Sequence, residues 1–290
     1  MTAPAVVVIG DALLDVQVAP RGTARAGGDV PAEIRLGPGG QGANLAIRLA
    51  RQGIAVTLVA SLADDTAGTL VREALVLNEV VLRSVPASST GSVVVLRDPD
   101  GERTMLSQRL AFGESVTPDL FADAAWVVIS GYLLLEPASR ALAELIAKAG
   151  ARRALVGCSV PEDRVEAWRD AAASLRPDLL VLNHQERSAL GHALDAGIIV
   201  ITDADGATLT TDGVSLRADA PAGPPAVDTT GAGDAFTAGL LAAIADADWP
   251  PREDLLRDGL AAAVGLASAV ARVEGAQAAV TGERPATLAP

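Results

Sequence analysis

Apolar residues recur along the chain in two spacings, and the alternation of these spacings predicts the fold. Short apolar runs, such as Val6–Ile9 and Trp126–Ser130, are typical of strands buried on both faces. In longer segments, such as residues 42–52 and 138–149, apolar residues recur at helical spacing. Because the two kinds of segment alternate, we expect an α/β fold with a mostly parallel sheet covered by helices on both faces.

The same spacings place the remaining elements. Further strands are predicted at residues 55–60, 154–158, 179–182 and 198–202, and further helices at residues 68–77, 165–174, 233–245 and 255–271. Residues 12–36 and 92–107 contain extended, alternating pieces that do not fit this sheet, and residues 98–101 look like the turn of a hairpin. We therefore expect one α/β domain over residues 1–290, with a small β lid formed by these two segments.

Composition and charge exclude several classes of function. The formal net charge is −13, which argues against nucleic acid and anionic membranes as partners. The only cysteine, Cys158, is interpreted as a small core residue, and one cysteine fits a reducing cytoplasm. The only lysine, Lys148, lies in a predicted helix without a Gly-rich loop before it, so a lysine-containing phosphate loop is absent. Phosphate would have to be bound by backbone amides, arginine and a metal.

The segment from Asp228 to Phe236 carries the clearest chemical signal. It places Gly231, Ala232 and Gly233 directly before Asp234, and a predicted helix follows. Small residues let successive amides point at one spot on a helix N-terminus, where the free N–H groups and the helix dipole favour anions. A carboxylate beside such an anion hole suits a general base that acts while a phosphoryl group is held nearby. The alternative is a Gly-rich turn with Asp234 as a helix-start residue.

Residues 37–42 match the Gly-x-Gly-x-x-Gly pattern of dinucleotide-binding proteins. That pattern requires a buried strand that runs straight into the first glycine, whereas residues 31–36 are too polar and too short for a central strand. We therefore favour a second use of these glycines, as a flat bed for a polyol whose hydroxyl groups bond to Asn44. A dehydrogenase is the less favoured reading.

Two segments, residues 39–44 and 228–236, together resemble the two signatures of the ribokinase-like (PfkB) carbohydrate kinases. Residues 183–186 resemble the family's Asn-x-x-Glu segment, residues 98–107 its lid hairpin, and Gly275-Ala276 its final turn. The resemblance covers most of the chain. It implies a ribokinase-like three-layer sandwich, and an ATP-dependent kinase that uses Mg²⁺ and K⁺ and phosphorylates a small sugar.

Roles follow from the resemblance by position. It implies that Asp234 is the base and that the amides of residues 231–234 form the anion hole. Four further sets are implied: Asp11, Asp15, Gly39, Gly40 and Asn44 for the sugar; Asn183, Glu186, Thr202 and Gly206 for the nucleotide; Glu186 for Mg²⁺ through water; and the backbone oxygens of Asp228 and Thr230 for the monovalent cation. Without the family, Asn183 would be interpreted as a strand-end turn residue and Glu186 as a solvated first-turn carboxylate.

The sequence departs from the family pattern near the nucleotide. Residues 202–206 are one residue shorter than the usual Thr-x-Gly-x-x-Gly and carry Ala204 for the first glycine. Ala263 stands where ribokinases often carry Asn. These departures leave the nucleotide preference open.

The substrate is predicted less sharply than the chemistry. Residues 10–15 look more like the opening of fructokinase-like members than that of ribokinases. Arg103 and Arg109 could reach a sugar acid or a sugar phosphate; the alternative is that they pair with Asp98, Asp100 and Glu102 on the lid surface.

A nucleoside or ribose kinase is disfavoured, because neither lid segment contains an aromatic residue. A non-catalytic sugar- or nucleotide-binding regulator is the alternative of another class. The edges of a β lid also predict a homodimer.

Overall fold

The protein folds as two β-sheets, and the larger one is covered by helices on both faces. The computed structural model describes residues 6–23, 27–97, 103–191, 194–281 and 283–284. The strands are β1 Val6–Ile9, β2 Leu13–Pro20, β3 Ala32–Gly39, β4 Val56–Leu62, β5 Val81–Pro86, β6 Ser92–Arg97, β7 Arg103–Gln108, β8 Trp126–Ser130, β9 Arg152–Val156, β10 Leu179–Asn183, β11 Ile198–Asp203, β12 Gly206–Thr211 and β13 Val214–Asp219. The helices are α1 Gln41–Arg51, α2 Thr66–Leu77, α3 Ser139–Ala147, α4 Val165–Leu175, α5 His184–Leu190, α6 Ala232–Ile244 and α7 Glu253–Ala271.

The larger sheet has the strand order β13-β12-β11-β10-β9-β8-β1-β4-β5. Neighbouring strands from β11 to β5 run parallel, and β12 and β13 form an antiparallel hairpin at one edge. The predicted α/β fold with a mostly parallel sheet is therefore confirmed. Strands β5, β12 and β13 and helix α5 were not predicted, and the predicted strand at residues 154–158 lies two residues earlier, at Arg152–Val156.

Alternating side chains of the parallel strands fill two separate cores. In β1, Val6 and Val8 pack with the apolar side chains of α1, α6 and α7, whereas Val7 and Ile9 pack with those of α3 and α4. Successive residues of a strand point to opposite faces, so an uninterrupted apolar run such as β1 requires a cover on both sides. The result is a three-layer sandwich. No helix in the described part of the chain has both the length and the apolarity that a membrane span needs.

The smaller sheet has the order β3-β2-β6-β7 and contains both segments that the sequence assigned to the lid. Its two faces differ. Val93 and Val95 of β6 are buried, whereas the opposite face carries a row of apolar side chains that pair across the strands: Leu36, Val16, Val94 and Leu106. Leu36 and Leu106 are 59% and 58% exposed. The small sheet therefore has one inward face and one apolar outward face.

The carboxyl ends of the parallel strands bring the chemically interesting residues together. Asp11 follows β1, Ser130 ends β8, Gly157 follows β9 and Asn183 ends β10. Ligands of open α/β sheets bind at this edge. The N-terminus of α6 lies near enough to the same edge for the charge of Glu186, in the first turn of α5, to raise the pKa of Asp234.

Candidate active site

Asp11 is held by contacts from three elements. Its carboxylate accepts hydrogen bonds from the N–H of Gly42 at 3.3 Å and from the hydroxyl of Ser130 at 3.4 Å. It also forms an ion pair with Arg109, whose guanidinium lies 3.7 Å from the centre of the Tyr132 ring. Arg109 is therefore part of the site, and the interpretation of this arginine as a lid-surface residue was wrong.

The second arginine of the lid, Arg103, is described only in its backbone, as the first residue of β7. The acidic residues that were considered as its partners, Asp98, Asp100 and Glu102, lie outside the described residues, and so does His192. Cys158 is buried, as expected, and burial raises the pKa of its thiol to about 12.

The glycines before α1 allow the backbone to come very close to Asp11 and Asp15. Gly40 has a positive φ of 90°, and a Cβ atom there would lie 2.6 Å from the carbonyl oxygen of Asp11. A Cβ atom on Gly39 would lie 2.8 Å from the Cβ atom of Asp15. The strand before these glycines, β3, belongs to the small sheet and not to the parallel sheet. The arrangement is therefore not that of a dinucleotide fold.

Asp15 presents an unsatisfied carboxylate oxygen. The residue is 6% exposed; Oδ2 accepts a hydrogen bond from Gln17 at 3.4 Å, whereas Oδ1 is buried without a partner among the described residues. Burial raises the pKa of this carboxyl group. Buried polar atoms in native proteins are nearly always hydrogen-bonded, so an unpaired oxygen at a site edge points to a ligand hydroxyl as its partner.

The start of α6 forms a compact turn in which two amides lack a backbone acceptor among the described residues. Gly231 precedes the helix with a positive φ of 76°, and a Cβ atom there would lie 2.8 Å from the carbonyl oxygen of Ala276. Ala232 donates to the carbonyl of Thr229 at 3.2 Å, and Ala235 donates to that of Gly231. The N–H groups of residues 233 and 234 lie between these two bonds and have no backbone acceptor among the described residues. They are the orphan donors that make a helix N-terminus an anion site.

Asp234 sits on the first turn of α6, beside these amides. It is partly buried, and burial raises the pKa of its carboxyl group to about 7. Asn44 and the charge of Arg48 both lower this pKa, but burial has the larger effect. The negative charge of Glu186 raises it further. Such a carboxyl group, with a pKa near neutral and orphan amides beside it, has the properties that a general base needs.

Asn44 connects Asp234 to the C-terminal part of the chain. Its side chain lowers the pKa of Asp234, and its Oδ1 accepts a hydrogen bond from Gln277 at 2.9 Å. Gln277 also donates to the carbonyl of Pro38 in β3 at 3.1 Å. The sequence predicted that Asn44 contacts the sugar. In the structure the Asn44 amide lies between Gln277 and Asp234.

Two buried arginines of α1 hold the C-terminal segment in place. Arg48 is completely buried and donates to Glu283 and to the carbonyl of Ala276, both at 2.7 Å. Arg51 donates to the carbonyl of Gln277 at 2.7 Å and to the side chain of Asn78 at 2.9 Å. Residues 276, 277 and 283 are thereby fixed behind the turn that begins α6.

Asp228 stabilises the other end of the same turn. Its Oδ1 accepts from the amide and the hydroxyl of Thr230, at 2.9 and 2.7 Å. Its Oδ2 accepts from the amide of Gly275 at 3.0 Å and forms an ion pair with Arg97 of β6 at 3.2 Å. Glu274 pairs with both Arg97 and Arg35 of β3, so the inward face of the small sheet is tied to this turn.

Asn183 and Glu186 form a capping box at the start of α5. The Asn183 side chain accepts from the amide of Glu186 at 2.8 Å, and Glu186 Oε2 accepts from the amide of Asn183 at 2.9 Å. The same carboxylate lies over Gly157, where a Cβ atom would be 2.4 Å from Oε2. Burial raises the pKa of Glu186. One partly buried carboxylate, with its second oxygen outside the capping box, fits an ion such as Mg²⁺ that keeps most of its waters.

The remaining predicted nucleotide residues lie in regular structure. Thr202 of β11 pairs with Asn183 of β10, so it lies at the same edge of the sheet. Gly206 begins β12 with a positive φ of 146°, and a Cβ atom there would lie 2.1 Å from the carbonyl oxygen of Ala218. This contact alone requires glycine. Ala263 is completely buried and packs against Gly239, so it lies between α6 and α7 and not in an open base pocket.

Sequence reasoning did not identify several residues that complete the site. Tyr132 stacks on Arg109, Gln277 contacts Asn44, and Arg97 and Glu274 link the small sheet to Asp228. Tyr132 and Arg109 are 23 positions apart and the other pairs are more than a hundred positions apart, so no local pattern indicates these contacts. Only Gln277 carried a weak signal, since it directly follows the Gly275-Ala276 turn.

Comparison with known proteins gives a consistent result. A family model described as "pfkB family carbohydrate kinase" matches residues 3–282. A fructokinase from Klebsiella pneumoniae is 30% identical over 94% of this chain and 95% of its own. An ATP-dependent ribose-1-phosphate kinase from Halopiger xanaduensis is 32% identical over 70% of this chain and 72% of its own.

The structure of a fructokinase from Xylella fastidiosa with bound ATP superimposes with a TM-score of 0.78 at 21% identity. The match covers 94% of this chain and 93% of that one. The two proteins therefore share one fold, the three-layer sandwich with its smaller sheet.

Proposed function

Because the chain belongs to the pfkB family of carbohydrate kinases, we propose that it transfers the γ-phosphate of ATP to a hydroxymethyl group of a small sugar. The observation that carries this proposal is Asp234, a carboxyl group with a pKa of about 7 beside the orphan amides of α6. The whole chain, residues 1–290, would act as one kinase domain, with the small sheet as its lid.

In the proposed reaction, Asp234 accepts the proton of the acceptor hydroxyl group. The resulting alkoxide oxygen forms a bond to the γ-phosphorus while the bond from that phosphorus to the β-phosphate oxygen breaks, which releases ADP. The orphan amides of residues 233 and 234 would hold the transferred group, whereas the amide of Ala232, which the sequence also assigned to the anion hole, is bonded to Thr229. Fixed N–H dipoles need no reorganisation as the charge of the group shifts. Mg²⁺ would supply charge neutralisation to the triphosphate, and Glu186, with Asn183, would hold it through water.

The sugar would lie between the glycines before α1 and the small sheet. Asp15 offers the unpaired buried oxygen for a hydroxyl group, Asp11 lies beside it, and Gly39 and Gly40 leave room for a flat ring. Asn44 would complete this bed. Because Arg109 is already paired with Asp11, its guanidinium is not free to bind a carboxylate or phosphate of the substrate. This favours a neutral sugar, such as a hexulose, over the sugar acids that the sequence also allowed.

The nucleoside alternative is supported less. A base would need an open aromatic face, and the ring of Tyr132 is covered by the Arg109 guanidinium. The non-catalytic regulator is disfavoured by Asp234 itself, because a pure binder gains nothing from a carboxylate beside an anion hole.

Two finer features complete the proposal. Backbone oxygens of Asp228 and Thr230, in the turn that the Asp228 side chain fixes, would hold K⁺.

The apolar outward row of the small sheet, Leu36, Val16, Val94 and Leu106, would pack against the same row of a second copy and form a homodimer. Use of ATP and the single reduced thiol are consistent with a cytoplasmic enzyme.

The decisive experiment is a substrate panel assayed for ADP release. Sugars, sugar acids, sugar phosphates and nucleosides are each tested with the wild-type protein and with Asp234→Asn, in K⁺ and in Na⁺. We expect fructose or a related neutral sugar to give the highest turnover, with more activity in K⁺. ADP release from no acceptor, together with measurable sugar binding, would favour the regulator instead.

A further inference from the structure

The side chain of Gln41, the first residue of α1, reaches the ends of two strands of the parallel sheet. Its Nε2 donates to the carbonyl oxygen of Gly157, which follows β9, at 2.7 Å. Its Oε1 accepts from the amide of Gly131, which follows β8, at 3.2 Å and from the hydroxyl of Ser130 at 2.7 Å. One side chain therefore joins α1 to both β8 and β9.

Backbone groups on both sides fix the orientation of the Gln41 amide. The carbonyl of Gly157 can only accept a hydrogen bond, and the N–H of Gly131 can only donate one. If the amide turned by half a rotation, its oxygen would face the carbonyl of Gly157 and its nitrogen would face the N–H of Gly131, so both bonds would be lost. The link between α1 and the two strands therefore depends on this one amide in this one orientation.

Gln41 spans the point where the connections of the parallel sheet change sides. The strand order places β8 between β1 and β9. The chain leaves β1 towards α1, which packs on one face of the sheet, and it leaves β8 towards α3, which packs on the other face. Connections that diverge in this way open a crevice, and ligands of α/β sheets bind there. The Gln41 side chain crosses this crevice.

Each end of this link adjoins one side of the proposed site. Gln41 directly follows the glycines proposed as the bed for the sugar, and the amide of the next residue, Gly42, donates to Asp11 at 3.3 Å. At the other end, a Cβ atom on Gly157 would lie 2.4 Å from Oε2 of Glu186, so this carboxylate lies against the residue that accepts from Gln41. The sugar side and the magnesium side are therefore connected through one side chain.

We propose that Gln41 is a positioning residue that sets the separation between the sugar side and the nucleotide side of the site. This inference rests on the proposed function, in which the two sides hold the acceptor and ATP. Gln41 acts through its neighbours, Gly157 and the glycines before α1, and not through contact with the reacting atoms. Its effect on the rate can be large, because a displacement of about 1 Å between reacting groups can cost about a hundredfold in rate.

The test changes the length and the chemistry of this side chain separately. Gln41→Asn keeps the amide but is shorter by one methylene group, so it cannot reach both strand ends. Gln41→Met keeps the length but has no amide. With fructose, or the sugar of highest turnover in the panel, we expect kcat to fall by about tenfold to a hundredfold in both variants. The dissociation constants of the sugar alone and of ATP alone should stay close to those of the wild type, because each side of the site remains intact.

A matched control makes the same two changes at the other end of the same helix. Gln52 follows the last residue of α1, eleven residues after Gln41 and about 16 Å away along the helix axis. Gln52→Asn and Gln52→Met should leave kcat unchanged. The melting temperature is measured for all four variants, so that a loss of activity through unfolding is recognised.

The outcomes separate this inference from the proposed function. Wild-type kcat in both Gln41 variants would overturn the positioning role, and so would a loss confined to the affinity for the sugar or for ATP. If one variant fails to fold, the other decides. Asp234→Asn is assayed in parallel: wild-type turnover in that variant would overturn the proposed function itself, whereas an inactive Asp234→Asn beside fully active Gln41 variants would overturn only the role of Gln41.

Discussion

The two ends of the turn before α6 hold an aspartate in opposite ways. At its start, Asp228 is 4% exposed and its two oxygens accept from two backbone amides, a hydroxyl group and a guanidinium. At its end, Asp234 is partly open to the site, and Asn44 is the hydrogen-bond donor that lowers its pKa. The two carboxylates are six residues apart, yet Asp228 has a full set of hydrogen-bond donors and Asp234 has few.

The difference shows what separates a structural carboxylate from a reactive one. Hydrogen-bond donors that surround a carboxylate stabilise its charged form and so lower its pKa. Burial with few donors does the reverse, and it brings the pKa of Asp234 to about 7, where proton transfer near neutral pH is efficient. The same short segment thus contains an anchor and the proposed base, and substitutions should affect them differently.

The largest effect is expected at the base. Asp234→Asn keeps the shape and the hydrogen-bonding capacity of the side chain but cannot take a proton. We expect kcat to fall by about 10²–10⁴-fold, the usual contribution of a general base, while sugar binding stays close to that of the wild type. Steady-state ADP release and equilibrium sugar titration measure the two quantities. Near-wild-type turnover would show that Asp234 is not the base.

The pH dependence of the reaction should report the same group. Because the base must be charged, kcat/KM should rise with pH and level off above a pKa of about 7. Below this value the rate should fall about tenfold for each pH unit, as the charged fraction of a single acid does. A profile that stays flat down to pH 5 would contradict the raised pKa of Asp234.

The anchor should respond in stability more than in chemistry. In Asp228→Asn the new amide nitrogen faces the N–H of Gly275 and the guanidinium of Arg97. All three groups are hydrogen-bond donors, so both interactions are lost. We expect the free energy of unfolding to fall by about 2–4 kcal/mol, as for a buried charged network that loses one partner. Denaturant titration measures it. The matched control is Asp219→Asn, which breaks the exposed pair with Arg217 and should cost less than about 1 kcal/mol.

The smallest effect should be a gain of stability at the base. The folded pKa of Asp234, about 7, lies above its ordinary value of 3.8, so the folded protein binds more protons between these values and loses stability as pH rises through them. Asp234→Asn removes this cost. With allowance for partial exposure, the variant should gain about 1–2 kcal/mol above pH 7 and nothing below pH 4. An equal shift at both pH values would speak against a raised folded pKa.

The sequence allowed prediction of features that local patterns encode. The apolar runs located most central strands, and the small residues before Asp234 indicated the anion site that the orphan amides of α6 can form. The β12–β13 hairpin was missed although Asp212-Gly213 is a strong turn signal, with φ values of 33° and 81°. Strand β5 was missed because a short edge strand is only half covered and its apolar pattern is weak.

Other features depend on contacts that no local pattern encodes. The sequence left Arg109 open between the substrate and the lid surface, because its partners, Asp11 and Tyr132, become neighbours only when β7 and β8 are placed. The same holds for Gln277, which meets Asn44 across 233 positions. Predicting such contacts requires the tertiary fold, whereas predicting the turn before α6 requires only small residues and a helix start.

The burial of Arg48 and Arg51 against residues 276, 277 and 283 has a consequence for biosynthesis. These partners emerge from the ribosome after every strand of both sheets and after α7. Until then Arg48 is a cation in an apolar interior without its carboxylate, and the segment that supports Gly231 and Asn44 is missing. A nascent chain can therefore form its sheets early, but it should become an active kinase only after residues 276, 277 and 283 have emerged.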